Sequence, residues 1–220
     1  MTCGVTTAKT RGRGLPDRAA RDDDPGGFRR RLLDALAECI AEDGYRRTTV
    51  ADVVRRARTS RRTFYQYFSD KEACFVALLT DTNQEVIRHI SAAVDPKAPW
   101  GTQIRQAVEA WISAAKSAPA LTVSWIRDVP ALGEAARGLQ RTVMDEFVTM
   151  IQTLSDTGEL RAAGIHSPSR CLVIILLGGL RELMATTVED GGNIGDVTDL
   201  AVQASIALLA PDPGQGRAFA

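Results

Sequence analysis

TTVADVVRRARTSRRTFYQYFSDKEA, residues 48–73, holds three helix starts in one short stretch, with turns between them too tight for anything but a helix-turn-helix. Val50, Val53, Val54 and Ala57 recur at i, i+3, i+4 and i+7, so the first piece buries one face as a helix of about two turns. Thr49 precedes it as an N-cap, with Asp52 three residues on in the capping-box position. Arg58 and Thr59 alone separate this helix from Ser60, a second N-cap. The next segment is expected to bury Phe64 and Phe68 and to expose Arg61, Arg62, Thr63, Tyr65, Gln66 and Tyr67. Ser69 and Glu72 read as a capping box for a third start, leading into the apolar run Phe75–Leu79.

The exposed residues point to chemistry. Cations are disfavoured at a helix N-terminus, where the macrodipole already places partial positive charge. Yet Arg61 and Arg62 fall in the first turn of one helix and Lys71 in the first turn of the next. An anion resolves the conflict, and phosphate bound by free backbone N–H groups is the usual one. Arginine at the front of a groove-entering helix also reaches guanine O6 and N7, while Tyr and Thr hydroxyls bind the phosphate backbone. The expected DNA-binding set is Thr49, Ser60, Arg61, Arg62, Thr63, Tyr65, Gln66, Tyr67 and Lys71. The bland alternative is a solvated basic face on a structural helical hairpin.

Charge distribution agrees with a nucleic-acid reader. The formal net charge is zero, but residues 1–72 hold 16 Lys+Arg against 11 Asp+Glu, a balance of +5, and residues 73–220 carry −5. Residues 1–27 contain Lys9, Arg11, Arg13, Arg18 and Arg21 among Gly, Thr and Pro without helical or strand period. They are expected to form a disordered basic arm able to reach a minor groove.

Residues 28–79 resemble the DNA-binding domain of the TetR family of transcriptional regulators. The resemblance rests on Gly44, Tyr45, Thr48, Thr49 and Val50, then Ser60, Thr63, Phe64, Tyr65, Tyr67, Phe68, Lys71 and Glu72. One departure stands out: the inter-helix turn, A-G-V-S in the family, reads Ala57-Arg58-Thr59-Ser60 here. A non-glycine residue at positive φ costs on the order of 1 kcal/mol, which a packed domain tolerates. The resemblance implies an all-α chain: a three-helix helix-turn-helix domain over 28–72, then a helical effector-binding and dimerisation domain over 73–210, with a flexible tail at 211–220.

The residues beyond 80 support an all-helical body. Helices are expected over Asp70–Val94, Gly101–Ser117, Pro119–Arg127, Ala131–Leu154, Ser169–Val188 and Val197–Ala210, with no strand pattern of comparable strength and no internal repeat. In the last helix Val197, Leu200, Ala201, Ala204 and Leu208 form an apolar stripe, and Ile174–Leu180 is apolar nearly all round. A terminal helix that apolar needs cover on two sides. The resemblance implies that helices at about 169–188 and 196–210 pair with those of a second copy, placing two recognition helices about 34 Å apart on a palindromic operator.

The resemblance further implies a mostly apolar cavity for a small effector that weakens DNA binding. Trp111, Trp125 and Phe147 lie on the helices that form it in the family, with Leu121 and Met150 beside them; Arg127 is a polar candidate, as are Arg105, His89 and His166. Composition suits an apolar or aromatic ligand with few polar anchors.

Enzymatic readings find no support. There is no phosphate loop, no HExxH and no GxSxG, and Ser113–Lys116 matches SxxK without its companion motifs, so no catalytic residue, metal or cofactor is expected. Four cysteines at 3, 39, 74 and 171 lack CxxC spacing and read as reduced packing residues. No apolar signal segment opens the chain, and the longest apolar run, Cys171–Leu180, is short of a bilayer span, so a cytoplasmic protein without a membrane partner is expected. Two function classes remain open: a ligand-responsive transcriptional repressor, and an architectural DNA-binding protein without an effector.

Overall fold

The computed structural model describes residues 25–210, which are helical with no strand among them. The tail over 211–220 and nearly all of the expected basic arm lie outside these residues. Residues 25–27, expected to belong to that arm, instead open the first helix at Pro25.

Helix α1 (Pro25–Asp43) buries Leu32, Leu33, Leu36, Cys39 and Ile40, the i, i+3, i+4 stripe of a helix lying on a core. Gly44 ends it at φ +77°, with its N–H donating to the Ile40 carbonyl at 2.9 Å. That left-handed turn is why glycine stands there. It delivers Tyr45 onto Phe75, the rings stacked at 4.1 Å. Helices α2 (Val50–Arg56) and α3 (Arg61–Tyr67) complete the head, and α4 (Lys71–Ala93) leaves it.

The body follows with α5 (Trp100–Ser117), α6 (Pro119–Arg127), a 3-10 turn at Val129–Ala131, and α7 (Gly133–Ser155). A short α8 (Gly158–Ala162) was not anticipated; its five residues are too few to show a period, although Thr157 caps it. Then come α9 (Arg170–Glu189), a 3-10 turn at Ile194–Val197, and α10 (Thr198–Leu209). The 3-10 turn takes the start of the helix expected from Val197, with Asn193 accepting from the Gly195 N–H at 2.8 Å.

Two apolar cores organise these helices. One is continuous from Leu32 and Phe64 through Phe75 and Leu79 to Val143, Phe147 and Leu177, so head and body share it through α4. The other joins Ile104, Val108 and Ile112 of α5 to Leu176, Leu180 and Met184 of α9 and Ala201 and Val202 of α10. Trp111 packs against both.

Helix α9 as a whole is long and apolar enough to cross a bilayer, which the ten-residue run within it did not suggest. Its Arg181 and Glu182 sit mid-helix, and it packs against α6, α7 and α10.

Candidate nucleic-acid interface and effector cavities

The helix-turn-helix is fixed by its caps. Thr49 Oγ accepts from the Asp52 N–H at 3.3 Å while the Thr49 N–H donates to Asp52 Oδ2 at 3.0 Å, a reciprocal box that sets the start of α2. Asp52 also accepts from the Thr49 hydroxyl and from Arg55, and these bonds hold its carboxyl below the usual range. Arg58 occupies the turn at φ +51°, as the missing glycine requires, with its side chain exposed. Ser60 Oγ then accepts from the Thr63 N–H at 3.0 Å to start α3.

On α3, Phe64 is fully buried and Phe68 closes the helix into the core, leaving Arg61, Arg62, Tyr65 and Gln66 exposed. The neighbouring arginines are neutralised inside the head: Arg29 by Asp81, Arg55 by Asp52, and Arg56 by Glu42. Arg58, Arg61 and Arg62 make no ion pair among the described residues. Within the head, Arg47 apart, the arginines without an ion pair thus gather on the turn and first turn of α3. Thr63 and Tyr67 are half-buried, and the hydroxyls of Ser60 and Thr63 lie 2.9 Å apart.

Two sequence-based expectations change here. The third cap is Asp70, which accepts from the Ala73 N–H at 2.7 Å, and Ser69 donates its hydroxyl to Asp70 instead of capping. A carboxylate is the stronger acceptor at a helix N-terminus, which explains the one-residue shift. Lys71, expected to reach phosphate, turns inward: its ammonium donates to the carbonyls of Tyr45 and Thr48, both at 2.9 Å, and lies 4.1 Å from the Tyr45 ring centre. Desolvation lowers its pKa, with Asp128 opposing. Its position at the start of α4 places it beside the loop it pins, which no local pattern announces.

In the body, two cavities share the wall formed by Trp111, Phe147 and Leu177. The first, about 90 Å³, lies between α4, α5, α7, α9 and α10 and is lined by Ile104, Val108, Met150 and Leu180, with Gln103, Ser155 and Ser205 as its polar groups. The second, about 100 Å³, is bounded by α4, α5, α6, α7 and α9, with Leu121, Trp125, Val143 and Met144 around Arg181 and Gln140. Trp111 and Phe147 meet at 6.4 Å with their planes tilted by 60°.

Residues 32–78 match the sequence model of the bacterial regulatory proteins of the tetR family. An uncharacterized HTH-type transcriptional regulator of Mycobacterium tuberculosis is 36% identical over 67 residues, 30% of this chain and 34% of its own length. Residues 32–78 are a DNA-binding domain of the TetR family of regulators. The match spans about a third of the length of such relatives, so the family rests on the DNA-binding domain. The whole fold is shared more widely. A TetR-family regulator from Syntrophomonas wolfei superposes with TM-score 0.70 at 15% identity, covering 87% of this chain and 100% of that one. The regulator FadR of Bacillus subtilis, solved with stearoyl-CoA, gives 0.68 at 16% identity over 81% and 97%.

Within the body the expected ligand residues divide. Trp111, Phe147 and Met150 line the first cavity, and Trp111, Phe147, Leu121 and Trp125 the second. Arg127 lines neither. It grips Glu182 at 2.8 Å and Glu189 at 2.7 Å on α9, and its charge is spent on clamping α6 to that helix. Arg105 is likewise held by Asp199 and Glu109, and neither His89 nor His166 borders a cavity. The residue that sequence reasoning missed is Arg181. Its signal was present, a lone cation following the apolar run 171–180, but nothing local tells whether such a side chain points to solvent or inward.

Cys39 and Cys74 are buried and free, and burial raises both thiols, Cys74 to about 12. That suits inert packing residues. Cys171 departs from the expectation by being exposed on α9. Among the described residues no group of metal-ligating side chains converges.

Proposed function

We propose that this TetR-family protein is a cytoplasmic, ligand-responsive repressor that binds a palindromic operator as a homodimer and is released by a small effector held in the body. The observation that carries the DNA-binding half is the set of unpaired arginines, Arg58, Arg61 and Arg62, on a turn and helix whose caps leave their outer face open. Exposed Arg137 and Arg141 on α7 are unpaired among the described residues as well, so the reading rests on the position of Arg58, Arg61 and Arg62 on the capped helix-turn-helix. In this reading Arg61, Arg62 and Gln66 read base edges, and Thr49, Ser60, Thr63, Tyr65 and Tyr67 position the backbone, with Lys71 bracing the loop behind them.

Dimerisation is supported by what α9 and α10 leave uncovered. Ile175 is 63% exposed and Leu200 55%, with Ile174 and Leu208 beside them, while Gly178 and Gly179 leave open backbone between. The two cavities support the effector half, and the FadR fold shows that a related architecture holds an acyl ligand. Selection of bound duplexes from a random library tests the first half. A repressor enriches one palindrome by about 4 kcal/mol or more over random duplex, whereas an architectural protein enriches none. Release of that duplex by an effector, with Trp125→Ala weakening the effector but not the operator complex, tests the second.

A further inference from the structure

Resting on the effector reading above, we infer that the second cavity selects an amphipathic anion, whose acidic head pairs with Arg181 while its apolar body lies against Trp125, Leu121, Val143 and Met144. Arg181 enters from α9, and its Nε has neither solvent contact nor a hydrogen-bond partner. The guanidinium lies 5.6 Å from the Trp125 ring centre, an interaction that partly offsets desolvation without satisfying a donor. No carboxylate lines the cavity. Glu182, next in sequence, is turned to Arg127, and the hydroxyls of Thr82 and Thr122 and the amide of Asn83 donate to backbone carbonyls. Arg181 is therefore the one charged group on an otherwise neutral, mostly apolar lining, with no internal counter-ion.

Arg181 is partly buried, with its Nε shut off from solvent, and desolvation lowers its pKa. A planar guanidinium matches a carboxylate in a two-bond fork, and water exclusion strengthens such a pair. Size sets the rest of the ligand. One water needs about 10–15 Å³ on this scale, so the second cavity takes roughly seven to ten non-hydrogen atoms. A longer tail must pass the Trp111–Phe147 wall into the first cavity, whose lining carries no charge at all.

Calorimetric titration of the full chain with sodium decanoate, decan-1-ol and decylammonium, all below micelle-forming concentrations, tests the inference. Decanoate should bind at least tenfold more tightly than decanol, and decylammonium should not bind. Arg181→Met should weaken decanoate at least tenfold and leave decanol unchanged, and Arg181→Lys should recover part of the loss. Equal affinity for decanoate and decanol in the wild-type chain overturns the inference, as does no decanoate binding, or decanoate binding that survives Arg181→Met in a variant melting as wild type. If Arg181→Met does not fold, the comparison of the three ligands on the wild-type chain decides alone. Operator release is scored separately: Arg181-dependent decanoate binding without release removes the effector reading and keeps the anion site, and release by decanol as readily as by decanoate does the reverse.

Discussion

Arg46 donates from Nε to Asp128 Oδ1 at 2.8 Å, joining the loop before the helix-turn-helix to the end of α6. The contact spans the two halves of the molecule at a point where several functions meet. Trp125 on the same helix faces Arg181 and the second cavity, Arg127 grips Glu182 and Glu189 on α9, and Asp128 holds the head. In the proposed effector reading, a shift of α6 by a cavity ligand would act on the head through a polar link as well as through the shared core. Differential affinity of the ligand for two positions of α6 is what the mechanism requires.

Removing that link should lower coupling more than stability. Arg46 is largely exposed, and pairs of this kind contribute about 0–1 kcal/mol. Arg46→Ala should thus melt within a few degrees of wild type and bind effector normally, while the effector-induced loss of operator affinity shrinks. Fluorescence anisotropy of labelled operator with and without effector measures this, and an undiminished response places the coupling in the α4 core alone.

Lys71 and Arg62 are expected to separate under substitution. Lys71→Met removes two hydrogen bonds to carbonyls that fix the α1–α2 loop, and should cost on the order of 2 kcal/mol of stability, read by urea unfolding. Arg62→Ala should leave stability unchanged and lower operator affinity, flattening the salt dependence of binding by about one unit. If Lys71→Met keeps its unfolding midpoint and flattens the salt slope as well, its ammonium works on phosphate.

The head was legible in the sequence because its information is local. Thr49, Asp52 and Ser60 cap within three residues of the groups they satisfy, and Phe64 and Phe68 fall on one helical face, so spacing alone places Arg61 and Arg62 outside. The positive φ of Arg58 was legible only through the resemblance, from the glycine that the family's turn carries there. What stayed hidden depends on distant partners. Lys71 meets carbonyls 23 and 26 residues away, Arg127 meets α9 across 55 and 62 residues, and the inward aim of Arg181 follows from how α6 and α9 cross. In α10 the apolar stripe was read as one face, but Ala201 faces the protomer core while Leu200 faces out.

Alkaline pH should unfold the head through groups kept neutral by burial. Burial raises Tyr45 from 10.0 to about 12, with smaller contributions from Glu72 and Asp70, and raises Cys74 from 9.0 to about 12. Both folded values lie above the unfolded ones, so this stability is complete below pH 9. It declines as the unfolded chain ionises and is lost as pH rises through about 12. Urea midpoints should be flat up to about pH 8 and fall above it. Tyr45→Phe, which keeps the stack on Phe75, should flatten the fall above pH 10; an identical profile would assign the decline to other groups.

The proposed seam gives the last prediction, because its residues differ sharply in what they touch within one protomer. Ile175 and Leu200 are mostly exposed there, so Ile175→Glu and Leu200→Glu place a carboxylate in water if the protomer stands alone and in an apolar interface if it pairs. Each variant should remain helical and sediment as a monomer, and operator affinity should fall steeply because two half-sites are no longer held together. Ala201→Glu, one residue away but 2% exposed, should instead unfold the body. Sedimentation and circular dichroism on the three variants separate the outcomes. A dimer that persists in both Ile175→Glu and Leu200→Glu moves the interface off α9 and α10.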